Sequence, residues 1–286
     1  MRYEGEIKII LGSIGFAFIP VFVLSGAELS VPSLLIGRLL VAVLFLFFLI
    51  KDKSKIVLII KSKGGLLIVW GFAILGSMAF YFFSIGYCGM AVSAAVLGTQ
   101  PLFIVLLALF FLHEKISVKT WMACFICLTG IVLVSGIDSF TLSDYFLGVI
   151  LALASSFLSA VNFIIKKKYF DDFNGIQSVF YQSLFQIPFL IPFVLYNPGL
   201  LTQQSFVSVI LLGLICSVFA YGLIYDGISK VKGQQIGILQ SVEYVMPLFI
   251  GIIFFNEKIS FLTATGISLI IVSCILITVK SSSKTV

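Results

Sequence analysis

Phe110 to Ser117 reads FFLHEKIS, and Phe254 to Ser260 reads FFNEKIS. The glutamates of the two phrases, Glu114 and Glu257, stand 143 positions apart in a chain of 286 residues. A displacement of half the chain, with each copy closing a long apolar run, points to two versions of one unit. The flanks agree: AFYFFSIGY (79 to 87) resembles AYGLIYDGI (220 to 228), and QPLFIVLLALFFLHEKIS (100 to 117) parallels EYVMPLFIGIIFFNEKIS (243 to 260). The halves so defined run from 1 to 140 and from 143 to 286.

Composition sets the solvent. Hydrophobic residues make up 60% of the chain and charged residues 10%, with a mean hydropathy of +1.21. A soluble domain carries about a quarter charged residues to coat its surface. This chain has too few, and its apolar runs are about 20 residues long, the length that crosses a bilayer. Ten such runs are read, at 7–25, 32–50, 65–84, 90–112, 119–136, 145–165, 176–196, 206–225, 234–255 and 262–279. MRYEGEIKIILGSIGF is read as the start of the first of them and not as a signal peptide, because Glu4 and Glu6 lie in its flank and no A-x-A-like site follows. The expected fold is an all-α membrane protein of ten transmembrane helices, in an antiparallel bundle with short connections.

Charge supplies the orientation. If the N-terminus is cytoplasmic, all 18 Lys and Arg fall on the inner side except Lys258, which falls outside, and Arg38, which lies within a span. Positive residues concentrate on the cytoplasmic side. Ten spans with both termini cytoplasmic satisfy that bias, and an odd number would spoil it. The net charge of +6 is therefore read as topology, with no nucleic-acid partner. The alternative makes KDKSK or KKK a nucleic-acid or lipid-headgroup patch. Five spans per half is an odd number, so the second half enters the membrane from the opposite side. Inverted repeats of this kind let a secondary transporter exchange two related conformations around a midplane site.

The chain resembles the drug/metabolite transporter superfamily, and specifically its ten-helix EamA-type members. The resemblance rests on two five-helix halves, Arg38 in LLIGRLLVAVLF, and the Pro101-containing fourth span that ends in FFLHEKIS, with its counterpart in the ninth. Family members usually carry Glu-Pro in the ninth span, fourteen residues before the loop glutamate. Glu243 keeps that spacing to Glu257, but Tyr244 replaces the proline and Pro247 lies one turn on. The resemblance implies secondary transport of small organic metabolites across the inner membrane by alternating access, with amino acids or related compounds as the default cargo and export as the default direction.

Candidate site residues follow from depth. Arg38 and Glu243 are the two formal charges far inside the spans, where an arginine costs about 2.5–3.5 kcal/mol. The functional reading has Arg38 clamp an anionic group while Glu243 neutralises an ammonium or exchanges a proton. The structural reading is an Arg–Glu pair that locks two helices. Gln100 (the counterpart of Glu243), Tyr81, Asn162, Gln182, Gln186, Gln240, Tyr221, Tyr244 and Trp70 lie at comparable depth and are taken as substrate-binding candidates. Each also suits an interhelical hydrogen bond. Pro101 and Pro247 deprive the carbonyls of Leu97 and Glu243 of a helical donor, either beside a cavity or answered by a neighbouring Ser or Thr. Pro20, Pro101 and Pro247 are the expected helix breaks or hinges, with Pro188 and Pro192 permitting bends in the seventh span. Gly12, Gly15, Gly71, Gly76, Ser155, Ser156 and Ser159 are assigned to close helix packing.

No cofactor or metal is expected. Cys124 and Cys127 form a C-x-x-C inside WMACFICLTG with no second pair nearby, so they are read as small buried hydrophobes. His113 is read as a loop residue and not a proton relay. A nucleotide motif of the form G-x-x-x-x-G-K-[ST] is absent from the sequence, so energy is expected from gradients, proton coupling through Glu243 among them. An enzyme is not expected, because the spans offer one Glu and no His for acid-base or metal work. The alternatives are a flippase for lipids or lipid-linked substrates and, further off, a membrane-embedded enzyme. Expected partners are a small metabolite and the bilayer, with the chain a monomer or homodimer.

Overall fold

The computed structural model describes residues 3–50, 54–112, 118–134, 144–231, 239–256 and 259–279. His113, Glu114 and Glu257 lie outside the described residues. Within them the chain is helical, and the extended pairing is a single bridge between Leu29 and Gly199.

Six helical stretches are long and apolar enough to cross a membrane, and shorter apolar helices accompany them. The first crossing consists of α1 (Glu4–Ala17) and α2 (Ile19–Ser25), which meet at Phe18. Pro20 stands in the first turn of α2, where a missing N–H removes no helical bond. The second crossing, α3 (Val31–Leu49), starts at Ser30, whose hydroxyl accepts from Ser33 N at 3.4 Å. Next comes α4 (Ser54–Leu97). At about 1.5 Å per residue its 44 residues would span roughly 66 Å, twice the hydrocarbon core. The contradiction is resolved at Gly89, where φ 80 and ψ 168 divide α4 into two helices. Only glycine takes that conformation without steric cost.

The fourth crossing differs from the continuous run read at 90–112. It breaks at Gly98 and Thr99 and resumes as α5 (Gln100–Leu112), with Pro101 in the first turn. The Leu97 carbonyl accepts from Ser156 Oγ at 3.3 Å, and Thr99 Oγ1 lies 2.8 Å from the same hydroxyl. A neighbouring serine therefore answers the carbonyl that Pro101 leaves behind. Then follow α6 (Val118–Val134), α7 (Asp144–Tyr169) and α8 (Gly175–Tyr196), the last opened by an Asn174–Gln177 capping box and containing Pro188 and Pro192. The eighth crossing is α9 (Gln203–Leu211), a π segment (Leu212–Tyr221) and α10 (Gly222–Ile228). The chain ends with α11 (Ser241–Phe254), which contains Pro247, and α12 (Phe261–Val279).

Packing relates the halves by a two-fold exchange. The first crossing of the first half, α1, packs on α10 and the π segment, which belong to the third crossing of the second half. Conversely α7 packs on α4, the third crossing of the first half. The remaining equivalents pack on each other: α3 on α8, α11 on α4, and α6 on α12.

Without a hydrophobic drive between helices in lipid, close approach depends on small residues and hydrogen bonds. A Cβ at Gly12 would lie 2.6 Å from Ile224 Cγ1 and 2.7 Å from the Ala220 carbonyl, so α1 reaches the eighth crossing at backbone distance. On the α4–α7 side, Ser77 Oγ donates to the Ser155 carbonyl at 3.0 Å and Ser155 Oγ to the Ser77 carbonyl at 2.7 Å. Lys166, read from sequence as one of three topology-setting lysines, is buried. Its Nζ donates to the carbonyls of Phe170 at 2.6 Å and Phe173 at 3.0 Å, closing the end of α7. Gly12→Val is expected to destabilise by about 1–3 kcal/mol through overpacking, whereas Gly65→Ala, with nothing within 4 Å, should be neutral. Thermal unfolding of the detergent-purified protein, followed by size-exclusion chromatography, checks both.

Candidate functional site

Arg38 projects from α3 into the centre of the bundle with 1% of its surface exposed. The approach of the π segment helps to enclose it: a Cβ at Gly213 would stand 3.0 Å from the Arg38 carbonyl and 2.5 Å from Val41. The guanidinium carbon lies 5.8 Å from the Phe82 ring centroid, at the limit of a cation–π contact. Its Nε and Nη1 atoms are buried and have no hydrogen-bond partner among the described residues.

Glu243 occupies the first turn of α11, where the helix dipole favours a negative charge. It is 8% exposed, and its Oε2 also lacks a partner. No ion pair joins Arg38 and Glu243. The direct pair considered from sequence is thus not formed, although Tyr221 and Cys216 lie within electrostatic range of both groups. Tyr81 is buried within range of Glu243. A basic and an acidic side chain thus have neighbours in common and leave donor and acceptor atoms unused among the described residues.

Around them the candidates divide into two sets. Asn162, on α7, holds the first together. Its Oδ1 accepts from Trp70 Nε1 at 2.6 Å, Gln182 Nε2 at 2.7 Å and Tyr225 OH at 3.3 Å, so it ties α4, α8 and α10 to α7. Tyr225 OH also lies 2.8 Å from Gln182 Oε1. Trp70 stacks on Phe170 with centroids 4.6 Å apart and planes 13° apart. Gln186 donates to the Gln182 carbonyl at 2.9 Å, and its own Oε1 is buried without a partner. The second set lies at the helix starts of the fourth and ninth crossings. Tyr244 OH donates to Gln100 Oε1 at 3.2 Å, bringing equivalent regions of the two halves together. Gln240 is buried beside them, and its carbonyl accepts from Glu243 N at 2.9 Å. Tyr221 packs edge-on against Phe16 with centroids 4.4 Å apart.

The sequence reading missed Tyr225 and Phe82. Both lie in the pair of segments that reveal the repeat, AFYFFSIGY and AYGLIYDGI, and a phenol one residue before Asp226 was the available signal.

Two substitutions separate the sets by stability alone. Asn162→Ala leaves two buried donors, Trp70 Nε1 and Gln182 Nε2, without their acceptor, each worth about 1–3 kcal/mol, and should lower the unfolding temperature clearly. Arg38→Met removes a buried cation with no ion-pair partner among the described residues, and should leave the unfolding temperature unchanged or raised. Thermal unfolding of both purified variants checks this contrast.

Known proteins now bear on the arrangement. A crystal structure superposes with a TM-score of 0.67 over 98% of each chain at 17% identity, which shows the fold alone. The uncharacterized transporter YetK of Bacillus subtilis (strain 168) is 25% identical over 273 residues, covering 92% of this chain and 80% of its own. YxxF of the same organism, also an uncharacterized transporter, is 24% identical and covers 96% of this chain and 88% of its own. An uncharacterized transporter of Archaeoglobus fulgidus is 26% identical over 71% of each chain. The EamA-like transporter family matches twice, at residues 4–136 and 146–279. Two tandem matches across nearly the whole of an all-helical, multi-pass membrane chain show that this protein belongs to the EamA-like transporter family.

Proposed function

We propose that this protein is a secondary transporter of small organic zwitterions or organic acids, amino acids and related compounds among them, moving them across the inner membrane with export as the working direction. One observation carries the reading: a buried guanidinium and a buried carboxyl group have Tyr221 and Cys216 as shared neighbours, and each keeps hydrogen-bonding atoms with no partner among the described residues. A charge inside a membrane protein stays there because something answers it. Here the missing partner is a solute. Its carboxylate accepts charge-assisted hydrogen bonds from the unpartnered donors of the Arg38 guanidinium. An ammonium, or a proton between solutes, meets Glu243. Tyr81, Tyr221 and Phe82 supply apolar walls and ring faces nearby.

Alternating access follows from the repeats. Five crossings in each half make the halves antiparallel, and the two-fold exchange of contacts lets each adopt the packing of the other. Both termini then lie on the cytoplasmic side, the side that the Lys and Arg distribution favours.

Proteoliposome transport tests the reading. Efflux and counterflow are measured across a panel of amino acids, organic acids and lipid headgroup analogues, with and without a pH gradient. Saturable movement of a carboxylate-bearing solute is expected, falling at least ~10-fold in Arg38→Met, or about 1.4 kcal/mol. Dependence on the pH gradient should vanish in Glu243→Gln. Transport of lipid analogues alone, or full activity in Arg38→Met, would overturn the proposal.

A further inference from the structure

Four charged side chains gather at the end of the bundle that carries the N-terminus, away from the central site. Glu4 Oε1 pairs with Lys8 Nζ at 3.1 Å and with Lys230 Nζ, and Lys8 Nζ reaches Asp226 Oδ2 at 3.5 Å. The other carboxylate oxygen of Asp226 accepts from Gly175 N at 2.5 Å, at the start of α8. The cluster thus joins α1, α10 with the residues just beyond it, and α8. Beneath it the backbones touch: a Cβ at Gly227 would stand 2.8 Å from the Gly5 carbonyl and 2.6 Å from Ile9 Cγ1.

Among the described residues the other half shows no such ion-pair cluster at the equivalent place. Aligning AYGLIYDGI with AFYFFSIGY sets Asp226 opposite Ile85 and Gly227 opposite Gly86. Ile85 is buried, whereas Gly86 is exposed, and a Cβ there would meet nothing within 4 Å. The two-fold exchange therefore holds for helix packing and fails for charge.

We infer that Asp226 is a gate-positioning residue, the keystone of a one-sided ionic lock that holds α1 against α10 and α8 and closes the N-terminal face of the transporter. This rests on the transport reading above, since a gate presupposes alternating access. The lock is coupled to the centre through the chain itself. Tyr225, the residue before Asp226, hydrogen-bonds Asn162 and Gln182, so a shift of α10 moves both ends together. A solute that draws on the Tyr225 network loosens the ion pairs one residue away, and an empty site favours the locked face.

Side-specific thiol labelling tests this without any transported solute. Cys216 is buried at the α1 contact, its Sγ 3.4 Å from the Gly15 carbonyl. With Cys88, Cys124, Cys127 and Cys274 replaced by alanine, maleimide labelling of Cys216 is followed in membrane vesicles of both orientations. Asp226→Asn keeps an acceptor for Gly175 N and loses the ion pair. It should raise labelling from the N-terminal face about 5-fold, the scale of a partly exposed pair network, and leave labelling from the opposite face unchanged. Asp226→Glu should stay close to the parent. The parent's labelling should also rise with salt, by screening, and that of Asp226→Asn should rise less, since only Glu4–Lys230 is left to screen between α1 and the end of α10. Unaltered labelling in Asp226→Asn, or equal salt sensitivity in both proteins, would overturn the inference. If Asp226→Asn does not fold, Lys230→Gln and the salt series on the parent decide. Because no solute is used, a negative transport assay leaves this result standing on its own.

Discussion

Hydrocarbon does not solvate charge, and that constraint orders the whole molecule. Apolar runs satisfy it over most of the length, and helices satisfy it for the backbone. Arg38 and Glu243 do not conform, and the structure does not let them neutralise each other. A protein needing only a structural brace would gain more from an Arg–Glu contact with good geometry, or from two apolar side chains, than from two unpaired groups. Holding both apart leaves unsatisfied bonding capacity inside the bundle, which is why we propose the cargo site there.

Around these residues the two repeats pack as a frame related by exchange of contacts. Glycine and serine contacts set the α1–α10 and α4–α7 interfaces at backbone distance, the kind of small surface that the proposed alternating access would use. Breaks at Gly89 and at Gly98 with Thr99 interrupt the first half, and the π segment interrupts the second. Two of these lie beside candidate site residues: a Cβ at Gly98 would stand 3.3 Å from the Tyr244 ring, and the π segment contains Cys216 and Tyr221. Irregular backbone in a membrane is tolerated where protein buries it, and Ser156 does so for Leu97.

Much of this was legible in the sequence because hydropathy and repetition are coarse signals that survive substitution. The ten apolar runs, the displaced FFLHEKIS and the depth of Arg38 required no tertiary information. What lay beyond reach depended on partners. Lys166 looks like its neighbours Lys167 and Lys168 until the turn after α7 brings two carbonyls to it. Pro101 reads as a mid-span kink until the helix is seen to start one residue before it. Tyr225 and Asp226 looked like the polar end of a span, because nothing local says that one faces Asn162 and the other Lys8. The separation of Arg38 from Glu243 was equally hidden, since rise per residue gives depth and says nothing of rotation about the helix axis.

The account's central claim is that the Arg38 guanidinium awaits an anionic group of a bound solute. It is tested most directly by calorimetric binding of the solute found in the transport panel and of its analogue in which the carboxylate is converted to a neutral amide. The claim predicts that the amide binds at least ~10-fold more weakly to the parent protein, and that the two ligands bind Arg38→Met with the same reduced affinity. Equal affinity of acid and amide for the parent would contradict it.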